Sequence, residues 1–144
     1  MSRDRYIEAI RALCNLLELR GAEEITEGAP LEIDDVLFSL LYGDRANPDA
    51  ILGYCDFGEI SPGKELDIYH SLLSINFIMY DGRGPSFTVS PETGRVILAM
   101  HFSLADLKPQ ALLDRLTRVA GQAKEWRTHH PLTPPASFSA SAPA

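Results

Sequence analysis

Cysteine is scarce in this 144-residue chain: only Cys14 and Cys55 occur, far apart and outside any short repeated spacing. Neither a disulfide framework nor a zinc site can be read from them. Basic residues are also the minority, with thirteen Lys and Arg against twenty Asp and Glu and a formal net charge of -7. Such a chain repels a polyphosphate backbone and lacks the electrostatic term behind most non-specific nucleic-acid affinity, so nucleic acid is not an expected partner. A basic partner would be attracted instead, within a screening length of about 8 Å at physiological salt. Long apolar runs are missing too. Asp4, Glu8, Arg11 and Glu18 interrupt every stretch near the N-terminus that a signal core or a membrane span would need. These absences predict a cytoplasmic protein with both thiols reduced and no insertion into a membrane.

Motifs that carry chemistry are equally absent. The chain contains no G-x-S-x-G elbow, H-E-x-x-H helix or EF-hand loop. The glycine-rich segment Tyr80-Asp81-Gly82-Arg83-Gly84-Pro85 has neither P-loop nor G-x-G-x-x-G spacing, which argues against phosphate binding. His70 and His101 read as a half-exposed helix residue and a sheet-surface residue. The adjacent His129 and His130 have no nearby cysteine or carboxylate to complete a metal-ligand set. Asp34 and Asp35 read as turn formers rather than an acid and base pair, because successive strand residues point to opposite faces. Cys55, between Tyr54 and Asp56, has no basic neighbour to lower its pKa and reads as an inert strand thiol. No catalytic residue, metal or cofactor is expected; an enzyme would need residues gathered only in space.

What the chain does contain is amphipathic surface. With 45% hydrophobic residues it can build one core and is too short for two ordinary domains. From Asp4 to Arg20, Tyr6, Ile10, Leu13 and Leu17 form one helical line, widened by Ile7, Cys14 and Leu16, and Gly21 is expected to end that helix. The polar stretch 22–30 leads into three short strands, near 31–33, 36–42 and 50–60, joined by Asp34-Asp35 and by the turn residues of 43–49. Val36 to Tyr42 does not alternate, so both faces of that strand are apolar. Either it is a central strand covered on both sides, or its second face awaits a partner.

A helix is predicted over about 64–77, with Leu66, Tyr69 and Leu73 on one line and Ile68, Leu72 and Ile75 on another. A helix that is apolar in two directions needs two packing neighbours, one of which a second copy could supply. Phe87 and Val89, the turn Pro91-Glu92-Thr93-Gly94, and Val96, Leu98, Met100 and Phe102 read as a hairpin. Leu112, Leu116, Val119, Ala123 and Trp126 then recur at helical spacing. Residues 1–129 form the expected domain, and the Pro-, Ser- and Ala-rich 130–144 the expected flexible tail. The fold class is α+β: a compact sandwich of a mainly antiparallel, twisted sheet with three helices, in the order α-β-β-β-α-β-β-α.

Several segments together carry a family resemblance. They are Leu72-Leu73-Ser74-Ile75-Asn76 closing the middle helix, the Phe87 to Leu98 hairpin with its acidic Pro- and Gly-containing turn, Leu104 to Leu107, and the amphipathic helix from Leu112 to Trp126. With Leu31-Glu32-Ile33-Asp34-Asp35 and the acidic composition, the chain resembles the class I type III secretion chaperones of the CesT/Tir chaperone family over about residues 4 to 128. The resemblance implies a cytoplasmic homodimer that binds the N-terminal segment of a secreted effector in extended form. Such a protein keeps the effector soluble and delivers it to the export apparatus or its ATPase, itself using no ATP. It also implies a dimer contact through Leu66, Tyr69, Leu72 and Leu73, and effector contacts through Ile7, Ile10, Leu13, Val36, Phe38, Leu40 and Tyr42. Each of these could equally be a core residue, and a regulatory or sensory domain of similar architecture acting on a folded partner is the alternative.

Overall fold

The structure, a computed structural model, describes residues 2–82 and 84–129. Helix α1 (Ser2–Leu16) and a short α2 (Ala22–Thr26) precede β1 (Leu31–Ile33), β2 (Val36–Tyr42) and β3 (Ala50–Gly58). Helix α3 (Glu65–Met79), strands β4 (Ser86–Val89) and β5 (Val96–Ser103) and helix α4 (Pro109–His129) follow. The sheet runs β1-β2-β3-β5-β4 with every neighbour antiparallel. This is the α+β architecture expected, with α2 added. Residues 130–144, the expected tail, lie outside the described residues.

α1 stops before Gly21 because the chain turns at Glu18, whose φ is 55°. The amide of Glu18 donates to the Asn15 carbonyl at 3.2 Å and that of Leu19 to the Cys14 carbonyl at 2.9 Å. This pair of bonds is a Schellman closure, with an acid where glycine is usual. Gly21, at φ 86°, instead sits at the start of α2. That helix buries only Ile25, too little for any apolar period to announce it.

Register explains the core. Leu31, Phe38, Cys55, Leu98 and Phe87 lie opposite one another across all five strands, and all five are buried. On to this face pack α1, through Tyr6, Ile10 and Leu13, and α4, through Leu112, Leu116, Val119, Ala123 and Trp126. The Tyr6 hydroxyl donates to the Leu40 carbonyl at 2.7 Å, which fixes α1 on β2 while satisfying a buried phenol. Asp34 and Asp35, at φ 52° and 66°, form the two-residue turn between β1 and β2. Two positive φ values in succession match the twist of a tight hairpin.

Two glycines are required by geometry. A Cβ on Gly53 would lie 3.0 Å from Phe102 and 3.3 Å from Met100, so this position in a central strand makes room for two large neighbours. Gly58, at φ 134°, ends a bulge in which Asp56 pairs with Ile97 and Gly58 with Val96, leaving Phe57 as the extra residue. Phe57 turns inward, with ring centroids 5.0 Å from Phe87 and 6.0 Å from Trp126. Arg127 donates to the carbonyls of Phe57 at 2.8 Å and Asp56 at 2.6 Å. The end of α4 thus satisfies backbone groups at the bulge.

Candidate interaction surfaces

α3 has two apolar faces, and they meet different fates. Glu65 and Asp67 lie in its first turn, where negative charge complements the positive end of the helix. Ile68, Leu72, Ile75 and Met79 are buried against the body of the protein. Leu66, Tyr69, Leu73 and Phe77, spaced by three or four residues, continue to Tyr80 and form an outward stripe. Leu66 is 81% exposed, Leu73 67% and Phe77 85%. Leu66 and Leu73, both expected at a dimer contact, are thus open to solvent, with Tyr69 beside them. Leu72, expected there as well, is not: at 5% exposure it is a core residue, because one helical step of 100° separates it from Leu73. Phe77 and Tyr80 belong to the stripe although the expected dimer set omitted them; their signal was continuation of the Leu66–Tyr69–Leu73 spacing.

The second surface is the sheet face turned away from α1 and α4. Ser39, Tyr54, Ala99 and Ser86 form one row across it, and Leu41, Leu52 and His101 another. Leu37 and Tyr54 are exposed, while Leu41, Leu52, Ile97 and Ala99 are half-buried. A groove of about 790 Å³ runs over Leu52, Tyr54 and Ala99, bounded by Asp49 on one side and Gly82 and Gly84 on the other. Ser86 and His101 share its floor with Leu52, Tyr54 and Ala99, so the groove mixes polar and apolar groups.

This geometry corrects most of the expected effector set. Ile10, Leu13, Val36, Phe38 and Leu40 are at most 1% exposed, packed between the helices and the sheet, so a bound chain cannot touch them. Ile7 and Tyr42 are half-buried against the same core. Tyr42 donates its hydroxyl to the Pro48 carbonyl at 2.8 Å, and its ring lies 5.6 Å from that of Tyr6. The physical reason is alternation. In β2 the side chains of 36, 38, 40 and 42 share one face, and those of 37, 39 and 41 share the other. Ser39 is the one polar residue of the run and lies on the 37/39/41 face, too weak a signal against Leu37 and Leu41 to say which set faces water, so those two leucines were missed.

Both thiols are free and buried. Burial pushes Cys55 up to about 12, and it raises Cys14 as well; a thiol held protonated is a poor nucleophile and a poor metal ligand. Among the described residues no cluster of three or more His, Cys, Asp or Glu side chains could hold a metal ion, and no helix is long and apolar enough to cross a membrane. Arg95 shares its Nε–H between the two Asp56 carboxylate oxygens, at 2.9 and 3.1 Å, and so bridges the hairpin to β3 at the margin of the open face.

Residues 12–127 match the Tir chaperone protein (CesT) family, and the chain belongs to that family. No curated protein matches it in sequence. In three dimensions it is similar to a chain of the ExsC–ExsE complex, with a TM-score of 0.70 and 19% identity over 89% of this chain and 95% of that one. A chain of the HopA1–SchA chaperone–effector complex gives 0.63 and 14% over 89% and 97%. A chain from the complex of the Yersinia pestis type III secretion chaperone SycH with a fragment of YscM2 gives 0.57 and 14% over 83% and 98%. At these identities the likeness establishes the shared fold.

Proposed function

We propose that this protein is a cytoplasmic, non-enzymatic type III secretion chaperone. It acts as a homodimer that holds the N-terminal segment of an effector in extended form and passes it, still soluble, to the export apparatus without using ATP. The observation that carries the reading is the pair of uncovered apolar surfaces, the α3 stripe and the open sheet face, on a chain of the Tir chaperone family. Monomers seldom leave such patches bare unless something binds there. The α3 stripe, convex and aliphatic-aromatic, suits a second copy related by a two-fold axis, since the same patch then meets itself. The sheet face and its groove suit an extended polypeptide, whose alternate side chains can lie over Leu52, Tyr54 and Ala99. A long footprint is needed because ordering an unfolded segment costs entropy, offset by about 25 cal/mol for each Å² of apolar surface buried. Two proteins of similar fold are a chain of a chaperone–effector complex and a type III secretion chaperone solved with a bound fragment, which supports the same reading.

Co-expression with the product of a neighbouring gene, followed by affinity purification, tests it. The expected result is a soluble complex that survives purification and is lost when the partner's N-terminal segment is deleted. A partner that is fully folded, and bound equally well without that segment, would replace this reading with that of a regulatory domain.

A further inference from the structure

The antiparallel sheet has two edges, β1 and β4, and an edge is where an extended chain adds itself by main-chain hydrogen bonds. At β4 the ladder phase decides which groups are on offer. The Ser90 amide donates to the Arg95 carbonyl at 2.9 Å, which makes that a bonded pair. Bonded and non-bonded pairs alternate, so Thr88 and Ser86 are bonded towards β5, while Phe87 and Val89 aim their N–H and C=O groups outward. Both outward groups of Phe87 are already taken. From α3, Asn76 accepts the Phe87 amide on Oδ1 at 2.7 Å and donates Nδ2–H to the Phe87 carbonyl at 3.0 Å. One residue on this edge therefore exchanges two hydrogen bonds with a side chain, as it would with a residue of a neighbouring strand. Pro85, next outward in phase, has no amide hydrogen to give.

We propose that Asn76 is a built-in strand mimic that seals the β4 edge. It denies this edge to extended segments and to the edge of a second copy, and so helps confine strand-like binding to other surfaces. A primary amide suits the task because it offers a donor and an acceptor side by side in one plane, like the peptide it replaces; Asp lacks the donor and Ser cannot span both groups. The opposite edge is guarded differently: β1 has three residues, Pro30 before it, and Glu32 as its outward-phased residue beside the two-residue turn. The inference draws its biological meaning from the chaperone reading, but its test uses this chain alone, so failure to retain an effector leaves the test unaffected.

The test combines amide exchange by NMR with sedimentation over a concentration series, on the wild type, Asn76→Ala, Asn76→Ser and the double variant Asn76→Ala/Val89→Pro. Proline at 89 is compatible with an edge strand and removes the other outward amide while leaving the β5 ladder intact. In Asn76→Ala the Phe87 amide is expected to exchange about ten-fold faster, the effect of losing one ordinary hydrogen bond, while Thr88 stays protected. Species larger than those of the wild type are expected to appear with concentration and to disappear in the double variant. Asn76→Ser gives the same pattern and stands in if the alanine variant folds poorly. Unchanged Phe87 exchange, no larger species, or larger species that persist with Val89→Pro would each overturn the proposal, the last because it points to an exposed core.

Discussion

Leu72 and Leu73 are neighbours in sequence with opposite surroundings, and aspartate at each gives a paired experiment. At Leu73, 67% of the side chain is open in the single chain. Fully burying a leucine is worth about 1.5 to 3 kcal/mol, so closing the remaining two thirds in a dimer contributes roughly 1 to 2 kcal/mol per copy, or about 2 to 4 for the symmetric pair. Lost hydrophobic burial alone then weakens the dimer about 30- to 700-fold, and two facing carboxylates weaken it further. The fold itself should lose little, on the order of 0.5 kcal/mol, for a surface change on a helix. Leu72→Asp reverses the balance. Its side chain is 5% exposed, and a carboxylate there costs about 3 to 5 kcal/mol or more, a large share of the stability of a domain this size. Light scattering after gel filtration, with urea unfolding in parallel, separates the two. Leu73→Asp is expected to give folded monomers with a midpoint near that of the wild type, and Leu72→Asp a protein that unfolds early. A Leu73→Asp protein of unchanged mass would place the pairing surface away from α3.

The core offers two further tests. Gly53→Val, with a Cβ 3.0 Å from Phe102, should lower stability by about 1 to 3 kcal/mol through overpacking, read as a drop in urea midpoint at constant slope. Stability should also fall in alkali. The Cys55 thiol moves from an ordinary value of 9.0 to about 12 on folding, so above pH 9 the unfolded chain gives up a proton that the folded one keeps. The stabilisation is complete below pH 9 and is lost progressively towards pH 12, by roughly 4 kcal/mol at most. Cys14 is shifted the same way, so Cys55→Ala should flatten this slope in part; an unaltered slope would refute the assignment.

Much of the architecture was legible because the pattern was strong. The hairpin of β4 and β5 and the long α4 carry clear periods of two and of 3.6, and Asp34-Asp35 marked a turn by chemistry alone. The two lines of α3 were visible, and Leu72 was read with Ile68 and Ile75 on the line that is buried; only the family resemblance placed it at the dimer contact. What stayed hidden was whatever needs a third dimension. With Ser39 as its single polar residue, the run Val36 to Tyr42 has too weak a phase for sequence to tell Phe38 in the core from Leu37 in the open. α2 was too short to have a period, and Glu18 took a backbone role that composition assigns to glycine. The Asn76 contact spans eleven residues and depends on how α3 lies along β4.

Arg127 reaches from the last turns of α4 to two carbonyls at the β3 bulge, and this sets a chemical lower limit on chain length. A protein ending before position 127 would leave those oxygens without their guanidinium, and one ending before 126 would also lose the Trp126 ring beside Phe57. Trimming for crystallography or fusion should therefore begin beyond Thr128.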